Sequence, residues 1–306
     1  RDRLRSRGLG DVYKRQALLF STACSSTEST TNLNGEISAE TIVLQTEPVI
    51  EPQVLTQAQL YYKCLNTLEY LNQISGSVVL RNGCNYPTIT HGTFSFDFIN
   101  GQYYADVNEF DPEDDTTCIQ NVKTYTNGTD CIRLFDEKGN AENTYTEETC
   151  ELSLAAQTFP NAYPSETDVM TADSANAEAV FYGTLGWDPT GAHELVGCFI
   201  PQEISIGYLE NFDNWEIIDT KEVQGRTCAI VQGIADPSYG DRFGVSTFEI
   251  LVDQETGVWM QFEGYAEDGT ISDYIYTENM CFGDMAQAVP QFSDSMTAGY
   301  TYLETE

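Results

Sequence analysis

The chain is 306 residues long and carries 48 Asp plus Glu against 14 Lys plus Arg, a formal net charge of −34. That balance excludes nucleic-acid binding, which needs Lys and Arg to displace counterions, and electrostatic docking on anionic lipid. Apolar content is 41%, and 18 Tyr with 15 Phe leave enough large side chains for a sizeable core, as one large domain or two smaller ones.

The charge is unevenly placed. Residues 1–16 hold six basic residues (Arg1, Arg3, Arg5, Arg7, Lys14 and Arg15) and two acids, so residues 17–306 keep 8 basic and 46 acidic residues, a net of −38. "SRGLGDVYKRQ" resembles one reading frame of a transposon-end adapter used in DNA library preparation, and "RDRLR" fits flanking adapter and barcode. Residues 1–16 are therefore set aside from fold reasoning. The alternative is the basic n-region of a signal peptide.

Residues 17–24, "ALLFSTAC", resemble the tail of a bacterial lipoprotein signal, with Ser21 where an aliphatic residue is usual. The resemblance implies that Cys24 becomes the first mature residue and carries lipid. An ordinary secretory signal is the alternative, and both export the protein. The expected location is the cell envelope, lipid-anchored on the outer side of the cytoplasmic membrane or in the periplasm. Residues 25–53 are Ser/Thr-rich and then Pro-bearing, a composition that buries no core and reads as a flexible tether. No other window approaches 18 apolar residues, so the expectation is a protein anchored to a membrane and not spanning it.

Residues 54–290 are expected to fold as a single β-rich domain, with 291–306 as a C-terminal tail. "LTQAQLYYKCLNTLEYLNQI", residues 55–74, places Ala58, Tyr61, Leu65, Leu68 and Leu71 at three- and four-residue steps with no Gly or Pro, which predicts one long helix. The period then changes to two. Phe94, Phe96 and Phe98 alternate with Ser95 and Asp97, Asn100-Gly101 is a hairpin signal, and Tyr103, Ala105 and Val107 return. Asn127-Gly128 and "FDEKGN" mark two further turns. Residues 151–210 lack a clean period and are expected as helices and loops across the sheet, "SANAEAVFYGTL" among them.

The last third is a predicted meander. "NWEIIDT", "TCAIVQGI", "FEILVD", "VWMQFEGY" and "TISDYIYTEN" are strands, and "VQGR", "QETG" and "AEDG" are the tight turns. In "VWMQFEGY", Val258, Met260 and Phe262 alternate with Trp259, Gln261 and Glu263. Both faces therefore carry large side chains, and one of them needs a cover other than the helices.

The order of one helix, antiparallel strands and then "VQGRTCAIVQG … FEILVDQETGVWMQFEGYAEDGTISDYIYTE" resembles the LolA/RseB-like superfamily of exported lipoprotein-handling and lipid-sensing proteins. The resemblance is best over residues 215–280, through Val252-Asp253, Glu255-Thr256-Gly257 and Glu267-Asp268-Gly269. It implies an α+β, β-rich fold: an antiparallel meander forming an incomplete half-barrel packed on the long N-terminal helix plus short helices, with an apolar concavity.

Eight cysteines follow Cys24: Cys64, Cys84, Cys118, Cys131, Cys150, Cys198, Cys228 and Cys281. An even number in an exported chain reads as structural disulfides. No Cys-x-x-Cys spacing supports a zinc or redox site. "DPEDD", Asp111–Asp115, lacks the alternating spacing of an EF-hand and reads as a solvated loop.

The two histidines, His91 and His193, sit in no nucleophile–base pattern, and no Gly-x-Ser-x-Gly elbow or phosphate loop occurs. Carboxylates are too numerous for any spacing to single out a glycosidase pair. The expectation is a protein that is not an enzyme and uses no cofactor or metal. It binds an apolar ligand, a lipid or a lipoprotein acyl chain, through Phe94, Phe96, Phe98, Met260 and Phe262 as carrier or sensor, with a partner envelope protein as a further expectation. The alternatives are a disulfide-stabilised surface module without a ligand, and a carboxylate hydrolase or calcium-dependent binder.

Overall fold

The computed structural model describes residues 55–82, 88–139, 142–149 and 195–304. Cys24, Cys84, Cys150, His193 and the expected helix "SANAEAVFYGTL" lie outside them, as do the adapter-like, signal and tether segments.

The first element among the described residues is α1 (Gln57–Leu65). Thr56 caps it: its hydroxyl accepts from Gln59 N, and the Gln59 side chain reaches back to Thr56 N, a capping box that satisfies two orphan donors. The predicted long helix stops here, which corrects the expectation of one helix to residue 74. Asn66 ends it, because its backbone N–H turns onto Tyr62 O and Lys63 O while its side-chain amide donates to Tyr62 O at 2.9 Å. An asparagine that bonds its own backbone competes with the helical ladder. A single turn, α2 (Thr67–Tyr70), follows, and by Gln73 the chain is a strand.

The strands are β1 (Gln73–Asn82), β2 (Thr88–Asp97), β3 (Gln102–Asp111), β4 (Asp114–Asn127), β5 (Asp130–Glu137), β6 (Asn143–Thr149), β7 (Trp215–Val223), β8 (Arg226–Ile234), β9 (Thr247–Asp253), β10 (Trp259–Tyr265), β11 (Ile271–Phe282) and β12 (Tyr300–Tyr302). They form a single sheet in the order β12-β6-β5-β4-β3-β2-β1-β11-β10-β9-β8-β7. Two antiparallel meanders, β1–β6 and β7–β11, are joined where β1 pairs with β11, Ile74 opposite Phe282 and Arg81 opposite Tyr274.

Turn chemistry sets the hairpins. Gln224 and Gly225 both have positive φ, 51° and 78°, the pair that a two-residue hairpin with right-handed strand twist requires. At Asn127-Gly128 the asparagine carbonyl oxygen accepts from Thr129 N and Asp130 N. Asp111 accepts from Glu113 N at 2.8 Å, so the acidic "DPEDD" run is a tight hairpin turn. No cluster of side chains suited to a metal ion occurs among the described residues.

The second meander curls on itself. The Gln224 side chain at the β7–β8 tip donates to Thr277 O at 2.9 Å and accepts from Met280 N at 2.8 Å, so this tip reaches past β9 and β10 to β11. The curl gives the sheet an inner face, and α1, α3 (Val196–Phe199) and α4 (Gln202–Leu209) pack into it. A fifth helix, α5 (Pro237–Phe243), spans the β8–β9 connection, N-capped by Asp236 and closed by Gly244 at φ 67°.

The opposite face is covered from the C-terminus. After β11 the chain crosses β1 and β2, where Ser75 Oγ accepts from Gln287 N at 2.8 Å and Ser95 Oγ donates to Gln287 O. Phe292 then packs on Tyr125, whose ring lies tilted against Tyr104 at 4.9 Å, and Tyr302 packs on Tyr145. Strand β12 ends the path in parallel with β6 at the sheet edge. On β10 and β11 the outer face is a hydrogen-bonded network, with Tyr265, Tyr276 and Gln261 all donating to the buried Glu263 carboxylate.

The structure has Cys64, Cys118, Cys131, Cys198, Cys228 and Cys281 as free thiols. Cys64, Cys198 and Cys228 belong to the main core. Cys131 Sγ meets Tyr103 Oη at 3.6 Å, Cys198 donates to Leu195 O at 3.2 Å and Cys118 donates to Gln120 O at 3.2 Å. Burial pushes the Cys64 and Cys228 thiols up to about 12, which keeps them protonated and unreactive at neutral pH.

Candidate functional site

The inner face of β2 presents Phe94 and Phe96, with Phe98 just past its end. The alternation that sequence reading found is the pleat of a half-buried strand. The three rings form a line: Phe94 to Phe96 at 5.9 Å, Phe96 stacked on Phe98 at 5.6 Å and on Tyr103 at 5.2 Å. Phe199 of α3 rests on this line, 4.7 Å from Phe94 and 4.6 Å from Phe96. Beside it Leu195 sits over Gly92, where a Cβ would come within 2.3 Å of Leu195 Cδ2, so a residue without a side chain lets the chain approach the sheet.

Helix α4 covers the second meander. Ser205, Tyr208 and Leu209 face the sheet, a three-and-four spacing that marks its buried stripe. The Tyr208 ring lies among Phe248 at 5.1 Å, Phe262 at 5.0 Å and Trp259 at 6.3 Å, and meets Tyr239 of α5 edge-on at 5.1 Å.

Strand β10 departs from the predicted alternation. Its register against β9 shifts between Trp259 and Gln261, a bulge that brings Trp259 onto the same side as Phe262, with their rings 5.5 Å apart. The expected opposition of Trp259 to Met260 and Phe262 is corrected by this extra residue.

Phe94, Phe96, Phe98, Met260 and Phe262 are all buried, none more than 8% exposed. The structure brings the β2 phenylalanines under α3 and Phe262 under α4, two parts of one helical insert. None of them lines the three clefts seen among the described residues. These measure about 620 Å³ (around Trp215, Gln232, Glu249 and Tyr265), about 460 Å³ (around Val245 and Glu267) and about 300 Å³ (between α4 and α5, around Glu203 and Tyr239). Sequence reading missed Phe199, Tyr208 and Trp259. The spacing of Ser205, Tyr208 and Leu209 was the available signal, obscured by Pro201 and by the aperiodic residues before it.

Asp273 on β11 is the titratable group of note here. Burial raises its carboxyl to about 7, only partly opposed by a backbone N–H and by Arg81, and its charge acts on Tyr208 and Tyr239. His91 is exposed on β2, its ring 4.8 Å from Phe110.

No protein-family model matches the chain, and neither does any curated protein. Similar solved structures include the Pseudomonas aeruginosa MucA/MucB complex (13% identity, TM-score 0.36, covering 78% of this chain and 59% of that chain). LprF from Mycobacterium bovis is similar at 12% identity and TM-score 0.34, over 76% of this chain and 97% of that one. A LolA superfamily protein from Nitrosomonas europaea is similar at 9% identity and TM-score 0.22, over 76% and 95%. The chain thus spans about three fifths of the MucA/MucB-complex chain it matches.

Proposed function

We propose that this is a non-catalytic envelope lipoprotein, anchored through Cys24, that binds an apolar ligand beneath the helical insert of an incomplete β-barrel. The ligand is a lipid or the acyl chain of a lipoprotein. Phe94, Phe96, Phe98, Met260 and Phe262 line its path once the insert moves, and the role is that of a carrier or sensor that passes its state to a partner envelope protein.

The observation that carries this reading is the nature of the cover. The inner aromatic layer is closed by α3, a single turn, and α4, eight residues long with no side-chain N-cap. The ring contacts that hold them down are non-directional, so an alkyl chain substitutes for those without leaving hydrogen bonds broken, while Trp215 Nε1, donating to Leu209 O at 2.9 Å, tethers the C-terminal end of α4. Each CH₂ transferred from water gains about 0.8 kcal/mol, enough for a groove with no catalytic group to hold a tail.

A second reading, an interaction module without a ligand, is favoured by the filled state of the same layer. Native mass spectrometry of gently purified protein, with titration of a fluorescent fatty-acid probe, separates the two. Co-purified lipid or saturable probe binding supports the carrier or sensor. Neither lipid nor binding supports the module.

A further inference from the structure

Ser205 and Tyr208 stand three residues apart on the buried stripe of α4, and Trp259 opens β10 beneath them. Ser205 and Trp259 are 0% exposed and Tyr208 is 4% exposed. Ser205 Oγ, Tyr208 Oη and Trp259 Nε1 are nevertheless without an oxygen or nitrogen hydrogen-bond partner. The Cys64 thiol lies beside Ser205 and Trp259, and both act on it as donors, but a thiol sulfur is a weak acceptor and does not replace an oxygen.

Buried polar groups are almost always paired, and each exception calls for an explanation. Here three exceptions fall in one packing layer, at the junction of the insert and the sheet. Alanine at 205 and phenylalanine at 208 would occupy those positions with no unmet donor, and phenylalanine at 259 would remove the third at the cost of a small cavity. The three groups also share a chemistry. The indole N–H only donates, and the two hydroxyls are free to donate, so together they suit an acceptor. Among the described residues no Lys or Arg ion pair falls in this layer, and the Asp273 charge acts on Tyr208, so a buried anion would be opposed there.

We infer that Ser205, Tyr208 and Trp259 form the polar end of the ligand site and bind the carbonyl oxygen of an uncharged acyl ester. This deepens the proposed function and rests on it. The ester carbonyl accepts from the three donors, and the alkyl chain runs over Phe262 and the β2 phenylalanines when α4 lifts. The lining rings give affinity for any alkyl chain, and the three donors give preference for an ester-bearing one.

Displacement of a bound fluorescent alkyl probe from the full chain tests this, with methyl laurate compared against an alkane of equal length. The expected result is a preference of about tenfold or more for the ester. Trp259→Phe, Ser205→Ala and Tyr208→Phe should each cut the preference severalfold, read as the ratio of ester to alkane affinity in the same variant, and Ser205→Ala and Tyr208→Phe should melt no lower than the parent. The triple variant should lose the preference. Equal binding of ester and alkane by the parent, or a preference that survives in the triple variant, overturns this inference alone. Failure of both compounds and the probe to bind overturns the underlying reading and this inference with it.

Discussion

The Arg226 guanidinium forks onto the Asp253 carboxylate, Nε to Oδ1 at 3.0 Å and Nη2 to Oδ2 at 2.7 Å, with Asp253 fully buried. The same carboxylate accepts from Thr256 N and Thr256 Oγ1, so one side chain holds both the start of β8 and the β9–β10 turn. Arg226 also lies over the Phe282 ring at 4.4 Å, tying the curled strands to β11. Gly257 in that turn sits against the Lys63–Cys64 backbone, where a Cβ would come within 2.3 Å, so the turn also seats α1.

Asp253→Ala strips a mostly buried guanidinium of its buried bidentate partner, leaving only the exposed Glu255 carboxylate at 2.9 Å, and releases the turn. Breaking a buried pair from one side costs about 3–5 kcal/mol. Urea denaturation should show a loss in that range, and a loss below about 1 kcal/mol would mean that water already compensates Arg226.

Gln224 closes the curl from the hairpin tip through Thr277 and Met280. Gln224→Ala removes those bonds and should cost about 1–2 kcal/mol. Amide exchange at Met280, whose N–H loses its acceptor, should rise in the same variant. Unchanged exchange there would show that the tip does not hold β11.

Gly207 lets α4 approach α5: an added Cβ would lie 2.3–2.4 Å from Tyr239 ring atoms. Gly207→Ala gains about 1 kcal/mol of helix propensity, but overpacking costs about 1–3 kcal/mol, so a modest net destabilisation is expected. Because the strain pushes the insert off its seat, a fluorescent fatty-acid probe should associate faster with this variant than with the parent. Slower or unchanged association would argue against α4 as the gate.

Burial holds the Asp273 carboxyl at about 7, above its ordinary 3.8. A carboxyl raised on folding favours the native state while protonated, so its contribution is complete below about pH 4 and is lost as pH rises through about 7. The parent should therefore lose melting temperature between pH 5 and 8 relative to Asp273→Asn, which lacks this titration. Parallel melting curves for the two proteins across that window would refute the assignment.

Six of the described cysteines are free thiols, and four of them, Cys64, Cys131, Cys198 and Cys228, are buried. Maleimide labelling of the native protein, read by peptide mass spectrometry, should modify the half-exposed Cys118 and Cys281 first. The buried four should label only on unfolding. Recovery of any of these six in a disulfide would contradict the structure.

What the sequence made legible was local. Gln224-Gly225, Asn100-Gly101 and Asn127-Gly128 announce hairpins because few residues accept positive φ, and Phe94-x-Phe96-x-Phe98 announces a half-buried strand by its pleat. Tertiary choices were not legible. The apolar steps over residues 55–74 fit a helix throughout, yet Asn66 bonds back to Tyr62 and the chain becomes β1, whose partner β11 lies some two hundred residues away. A one-residue bulge moved Trp259 to the Phe262 side, which periodicity cannot register. The outer-face cover was foreseen as a need, but its source, the C-terminal segment through Gln287, Phe292 and Tyr302, carries no local pattern that names it. The layer under α4 was hidden for the same reason, because Tyr208 and Trp259 meet only through the fold.

The central claim is that the aromatic layer beneath α3 and α4 opens to take an alkyl chain. The most direct measurement is equilibrium titration of the full chain with a fluorescent fatty-acid probe, repeated with Phe94→Ala, Phe96→Ala and Phe262→Ala. Saturable one-to-one binding that weakens in all three variants while their folds persist is the expected result. No binding by the parent, or binding indifferent to all three substitutions, would contradict it.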